Sequence, residues 1–150
     1  MASLVITVSR PTLKLGTAGP QGAPGPPGSA GAITLPCDPS VLPGDLVAYV
    51  GNELVLADPT DLSRLPCIGC IATKLDPVTA ILQTSGIVPV AYSGLSPSAA
   101  CYVGQDSRPT SIAPAPSSGE SVVIQAIGLA LDATTLLVSL GLSPLCRIHG

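Results

Sequence analysis

From Ala32 to the C-terminus, short apolar runs alternate with turn residues, and no stretch repeats its apolar positions at helical spacing. The apolar and β-branched runs predict strands at Leu46–Val50, Glu53–Ala57, Cys67–Thr73, Thr79–Thr84, Ile87–Ala91, Ala100–Val103, Val122–Leu131 and Thr135–Leu140. Between them lie Pro43-Gly44-Asp45, Gly51-Asn52, Asp58-Pro59, Asp76-Pro77, Ser93-Gly94 and the loop Pro114-Ala-Pro-Ser-Ser-Gly119. Each combines residues that preset or tolerate turn dihedrals. Many short strands punctuated this way predict an all-β domain, either a β-barrel or a sandwich. Ser3–Ser9 has the β-branched content of a further strand, and Arg10–Leu15 continues it in extended form.

A different period separates these two regions. Gly16, Gly19, Gly22, Gly25, Gly28 and Gly31 stand at strict three-residue spacing, with four prolines and no charge between the first and the last. Only glycine fits at the crowded axis of a collagen triple helix, and proline in the other slots presets polyproline II dihedrals. Gly/Pro composition without a period would mean a flexible linker, and the register favours collagen over that reading. One chain cannot form a triple helix, so the segment predicts a homotrimer. Fifteen residues span about 45 Å at roughly 3.1 Å per residue, a stalk and not a filament. Five triplets are too few to hold three chains together unaided, so the flanking parts must supply association. The chain thus divides into an anchor segment at 1–15, a stalk at 16–31 and a β-rich trimerising head at 32–150.

The head also carries an internal correspondence. Leu46-Val-Ala-Tyr-Val-Gly51 matches Ala99-Ala-Cys-Tyr-Val-Gly104, which aligns Tyr49 with Tyr102. Further on, Cys67-Ile-Gly-Cys-Ile-Ala72, Asp76 and a β-run ending at Gly86 are echoed by Ala126-Ile-Gly-Leu-Ala130, Asp132 and a β-run ending at Gly141. Two copies of one strand–turn–strand unit would close into a pseudo-symmetric β domain.

Composition sharpens this picture. Of 150 residues, 46% are hydrophobic and 10% charged, yet no apolar run approaches membrane-spanning length and the N-terminus reads as no signal peptide. An apolar, weakly charged chain must hide surface, and subunit interfaces are the natural place. Residues 1–31 hold Arg10 and Lys14 and no acid, whereas residues 32–150 hold four basic and nine acidic side chains. The leader precedes the stalk, is β-prone and is the net-positive part, which makes Leu4, Ile6, Val8, Arg10 and Lys14 the candidate anchor. A strand there can add to an exposed sheet edge of a partner. Six Lys and Arg with no Trp or Phe exclude a nucleic-acid surface.

Candidate chemistry is sparse. Cys37, Cys67, Cys70, Cys101 and Cys146 are an odd number with no disulfide framework, consistent with reduced thiols. Cys67-Ile-Gly-Cys70 has the spacing of half a zinc knuckle or of a redox pair, but its apolar surroundings read as a buried strand. Cys67, Cys70, Cys101 and Cys146 are expected as buried free thiols. The only histidine, His149, falls in a C-terminal tail expected to be mobile, so neither a Ser/His/Asp nor a Cys/His arrangement forms. Asp45, Asp58, Asp61, Asp76 and Asp132 sit in or beside turns, where local backbone hydrogen bonding favours aspartate. No enzyme, cofactor or metal site is expected.

A leader containing Val8-Ser-Arg-Pro-Thr-Leu13, followed by Gly19-Pro-Gln-Gly22 and Gly25-Pro-Pro-Gly28 and then a Gly/Pro-punctuated β domain, resembles small virion proteins of tailed bacteriophages. These carry a collagen-like stalk and a trimeric head. Pro43-Gly-Asp45, Ile68-Gly-Cys-Ile-Ala72, Thr84-Ser-Gly-Ile-Val88 and Ile127-Gly-Leu-Ala130 also resemble phage capsid decoration (cement) proteins over residues 42–141. The resemblance implies a structural protein on the virion surface, a short head fibre or decoration protein. Its partners would be its own copies and a major capsid, collar or tail protein. A tail or collar adhesin contacting the host cell surface is the alternative it leaves open, and a non-viral collagen-like surface protein is a further one.

Overall fold

Twelve strands organise the residues that the computed structural model describes, 31–140 and 145–150. The glycines from Gly16 to Gly28 and the anchor residues Leu4, Ile6, Val8, Arg10 and Lys14 lie outside them. In chain order the strands are β1 (Ala32–Pro36), β2 (Leu46–Val50), β3 (Glu53–Leu56), β4 (Gly69–Asp76), β5 (Thr79–Gln83) and β6 (Ser85–Ile87). There follow β7 (Ala100–Val103), β8 (Pro109–Thr110), β9 (Ser121–Ile124), β10 (Ala126–Ala130), β11 (Leu136–Ser139) and β12 (Cys146–His149). The described chain is all-β, with one 3-10 turn at Leu62–Arg64 and no α-helix among the described residues.

The strands form three antiparallel sheets. The first runs β1-β5-β4-β2-β3, the second β6-β11-β10-β7-β8, and β9 pairs with β12 in a third. The two larger sheets repeat one strand order: β6 stands where β1 does, β11 for β5, β10 for β4, β7 for β2 and β8 for β3. Tyr49 and Tyr102 fall on the corresponding strands β2 and β7, and the Ile-Gly steps fall at the start of β4 and within β10. Registers differ by one residue, because Val47 faces Gly69 whereas Cys101, the counterpart of Ala48, faces Gly128.

Local chemistry sets the turns. Gly51 and Asn52 both have positive φ, 61° and 69°, between the paired residues Val50 and Glu53. This is the two-residue hairpin whose twist suits antiparallel strands. Gly31, at φ 80°, turns the chain into β1, and its carbonyl accepts bonds from Thr84 N and Oγ1 at 2.9 Å each.

Alternation along the strands builds two cores. Leu46 and Cys70 of the first sheet meet Cys101, Val103, Ile127, Ala130, Leu136 and Val138 of the second in one shared cluster. The opposite face of the first sheet carries Val47, Ile71, Ala80 and Leu82, covered by Cys37 and Val41 of the segment after β1. Lys74 fixes that cover by donating to the carbonyls of Pro39 and Val41, both at 2.7 Å.

The structure departs from the sequence pattern at four places. Ile87–Ala91 is not a strand: β6 ends at Ile87, and Pro89 lacks the N–H that a continuing ladder needs. Only Val88 N and Tyr92 N reach across, to Leu136 O at 3.0 Å and Thr134 O at 2.8 Å. The run Val122–Leu131 divides at Gln125 into β9 and β10, which belong to different sheets. The C-terminal tail, expected to be mobile, forms β12, and its Cys146 is exposed rather than buried. Finally, β1 and β8 are strands that the pattern does not announce, one continuing the stalk sequence and the other beginning with a proline at a sheet edge.

Close strand approach makes one glycine decisive. A Cβ at Gly128 would lie 2.0 Å from Leu137 O, a backbone atom that cannot yield. Gly128→Ala should therefore cost about 3 kcal/mol or more in urea unfolding, the upper range for single changes. A loss below about 0.5 kcal/mol would contradict the close packing of β10 on β11.

Candidate functional site

The turn at Pro43–Asp45 gathers most of the buried polar chemistry. Asp45, 6% exposed, accepts the Leu42 N–H at 2.8 Å and pairs with the Arg108 guanidinium at 3.0 Å. Arg108 comes from the loop between β7 and β8, so the ion pair ties the second sheet to the entrance of β2. Its Nη1 packs so near Gly44 that a Cβ there would lie 2.9 Å away, and Gly44 itself has φ 90°. A side chain at this position would meet both obstacles.

Tyr92 closes the same knot from below. Its hydroxyl donates to Gly44 O at 3.0 Å and lies 2.9 Å from Cys70 Sγ. With the phenol proton on Gly44 O, the Cys70 thiol donates to the phenol oxygen, so both groups are satisfied. Burial is the first cause pushing the Tyr92 hydroxyl well above the usual phenol range, and the neighbouring Cys70 adds to it. Gln125 makes a second brace: its Oε1 accepts from Cys67 N and its Nε2 donates to Cys67 O, both at 2.8 Å. That paired contact holds Gln125 inside, and it is the physical reason the strand run breaks there.

Cys67 and Cys70, the one motif with chemical potential, are both buried and free. Burial pushes the Cys67 thiol up to about 12 and the Cys70 thiol up to about 11. Cys67 Sγ is directed to Gly69 O at 3.4 Å and Cys70 Sγ to Tyr92, so the two serve packing and hydrogen bonding. Among the described residues no three His, Cys, Asp or Glu side chains gather as metal ligands.

The aspartates behave as turn residues. Asp58, Asp61, Asp76 and Asp132 each accept the backbone N–H two positions on, at 2.7–2.9 Å. Asp132 also accepts from both threonine hydroxyls that follow it, and these donors hold it below the usual carboxylate range. Asp61 is lowered by Ser63 in the same way. Each carboxylate is engaged by its own turn, an arrangement suited to fixing loops.

Two adjoining open grooves, of about 550 and 370 Å3, lie at the β7–β8 end and share Ser93, Asp106 and Pro109. The larger continues over Thr110, Ile112 and Pro114, and Ile112 is 79% exposed. Asp106 caps its own turn through Arg108 N at 3.1 Å, and Arg108 is held by Asp45. The groove offers hydroxyls and a small apolar ledge. The segment 58–66 does not line it; Pro59 O instead accepts from Val123 N in β9.

One pairing escapes sequence reasoning. His149 and Ser121 are cross-strand neighbours on β12 and β9, and Nδ1 lies 2.7 Å from Oγ. Arg147 Nη2 lies 3.4 Å from the same hydroxyl. The signal lay in strand pairing between segments 28 residues apart, which no local pattern announces. His149 is exposed, Ser121 is half-buried and the partner beside them is a cation, so the contact reads as a polar cross-strand pair.

No helix among the described residues is long and apolar enough to cross a membrane. No protein-family model, no curated protein and no solved structure matches the chain.

Removing the guanidinium leaves a buried carboxylate without its charge partner. Arg108→Gln should cost about 2 kcal/mol by denaturant unfolding. A loss near zero would show that the ion pair does not hold the turn. Thiol chemistry gives a second check. At pH 8 the folded protein should expose one rapidly reacting thiol per chain, Cys146, and five after unfolding. Fast labelling of Cys67 or Cys70 in the folded state would contradict their burial.

Proposed function

We propose that this chain is a structural protein of a tailed-bacteriophage particle, a homotrimeric short fibre or decoration protein displayed on the virion surface. Residues 1–15 dock on a capsid or collar protein, residues 16–31 form a three-chain collagen-like rod, and residues 32–150 form a projecting head of two duplicated, sandwich-like β units. The observation that carries the reading is the period-three glycine run leading without a spacer into β1. A run of that kind has a use only where three chains share an axis. Low charge and the exposed Ile33, Leu42, Leu75, Val78, Ile87 and Ile112 support a chain that covers its surface by assembly. The repeated strand order of the two sheets supports the duplication.

The mechanism in this reading is geometric. A strand in the leader adds to a sheet edge of the particle, where Leu4, Ile6 and Val8 give fit and Arg10 and Lys14 favour an acidic surface. The rod spaces the head outward. The head displays loops and supplies association energy that the short rod lacks.

A second reading, host attachment by the head, has one observation in its favour, the grooves around Ser93 and Asp106. Particles reconstructed with and without the gene separate the readings. The structural reading expects density in groups of three at threefold or quasi-threefold positions of the head, lost on deletion, with host attachment unchanged. Absence of the chain from purified particles would overturn both, and a lost attachment with density at the tail would establish the second.

A further inference from the structure

We propose that the outer face of the second sheet, beginning at its edge strand β6, is the surface through which three copies of this chain pack against one another. The inference rests on the homotrimer reading above and says where that contact lies.

Position is the first argument. The Gly31 carbonyl is bonded to Thr84, and a Cβ on Gly31 would come 2.6 Å from Ser85 Oγ. Thr84 is the residue at which the chain passes from β5 in the first sheet to β6 in the second. The period-three glycines end at Gly31, whose φ of 80° is that of a turn and not of polyproline II, so the proposed three-chain rod stops there. The start of β6 therefore stands at the foot of that rod, beside its axis. Ile87 follows Ser85 by two residues, about 7 Å further along the strand.

The chemistry of the face is the second. Strand registers place Ile87 opposite Leu137, Leu137 opposite Leu129, and Leu129 opposite Ala100. These four side chains form one apolar row across β6, β11, β10 and β7. Ile87 is 58% exposed and Leu129 39%. The corresponding face of the first sheet is covered by Cys37 and Val41 from the chain itself. Among the described residues the row on the second sheet is left open.

Charge is the third. None of the five strands of the second sheet carries a charged side chain, whereas the first carries Glu53, Lys74 and Asp76. An uncharged apolar row ending beside a threefold axis fits a second and a third copy of the same surface. Leu75 and Val78 are equally exposed, but they flank the β4–β5 turn at the end of β5 away from Gly31.

The test uses the full chain and two double variants, Ile87→Lys with Leu129→Lys, and Leu75→Lys with Val78→Lys. Mass is followed by light scattering on dilution, and circular dichroism reports the β fold. The proposal expects the wild type and the Leu75/Val78 variant to be trimers of matching dissociation behaviour. It expects the Ile87/Leu129 variant to dissociate at a concentration at least about tenfold higher, because burying lysines in an apolar contact is costly. If that variant loses its β spectrum, Leu129→Gln alone is read in the same assay, with weaker trimerisation again expected. Unchanged dissociation of a folded Ile87/Leu129 or Leu129→Gln variant would overturn the assigned surface and leave the trimer standing. A monomeric wild type would overturn the trimer and with it this surface.

Discussion

The apolar core that the two five-stranded sheets share is the constraint on which the rest of the structure depends. The chain has no Phe and no Trp, so this core is filled by Leu, Ile, Val, Ala and Cys, with Tyr92 at its margin. Small side chains bury little area each, and they fill a core only when the backbones approach closely. Gly69 and Gly128 mark close approaches within the two large sheets, where a Cβ would fall 2.6 Å from Gln83 O and 2.0 Å from Leu137 O. Such closeness leaves no room for unpaired polar groups. Asp45, Tyr92 and Gln125 each reach a named partner, and among the described residues no buried side-chain nitrogen or oxygen lacks one.

Each of the two large sheets has an apolar face that the other covers. The strand order repeats, but the two copies differ in what covers their outer faces. The first sheet is closed by the segment after β1, held down through Lys74. Among the described residues the second has no such cover, and it keeps an uncharged apolar row. In the proposed assembly the covered sheet acts as scaffold and the uncovered one as the surface for association. In the proposed trimer the rod places that surface beside the axis, so the short triple helix sets alignment and the heads supply cohesion.

Much of the fold was legible because it is written in local chemistry. Leu46–Val50 and Ala100–Val103 appear at the expected bounds, since each is a β-prone run enclosed by turn residues. The repeat was legible through Tyr49 and Tyr102 and the two Ile-Gly steps. What escaped depends on partners distant in sequence. Gln125 breaks an otherwise continuous β run because Cys67, 58 residues away, offers both a donor and an acceptor. The C-terminal strand carries Arg147 and His149, reads as a polar tail, and becomes a strand only by pairing with β9. Cys146, expected in the interior with the other thiols, is exposed on that strand. The grooves near Ser93 and Asp106 were not legible as a site, because they arise from loops brought together by the second sheet.

The central claim is that three chains converge where the glycine repeat meets the β body, and a single-particle electron-microscopy reconstruction of the isolated full-length protein tests it most directly. The account predicts a threefold particle in which a thin rod emerges at the axis, the three Gly31 residues ring the foot of the rod, and each second sheet turns its apolar row inward. A reconstruction showing one β body without symmetry, or a threefold assembly with Gly31 at the periphery and the β6 edges facing solvent, would contradict it.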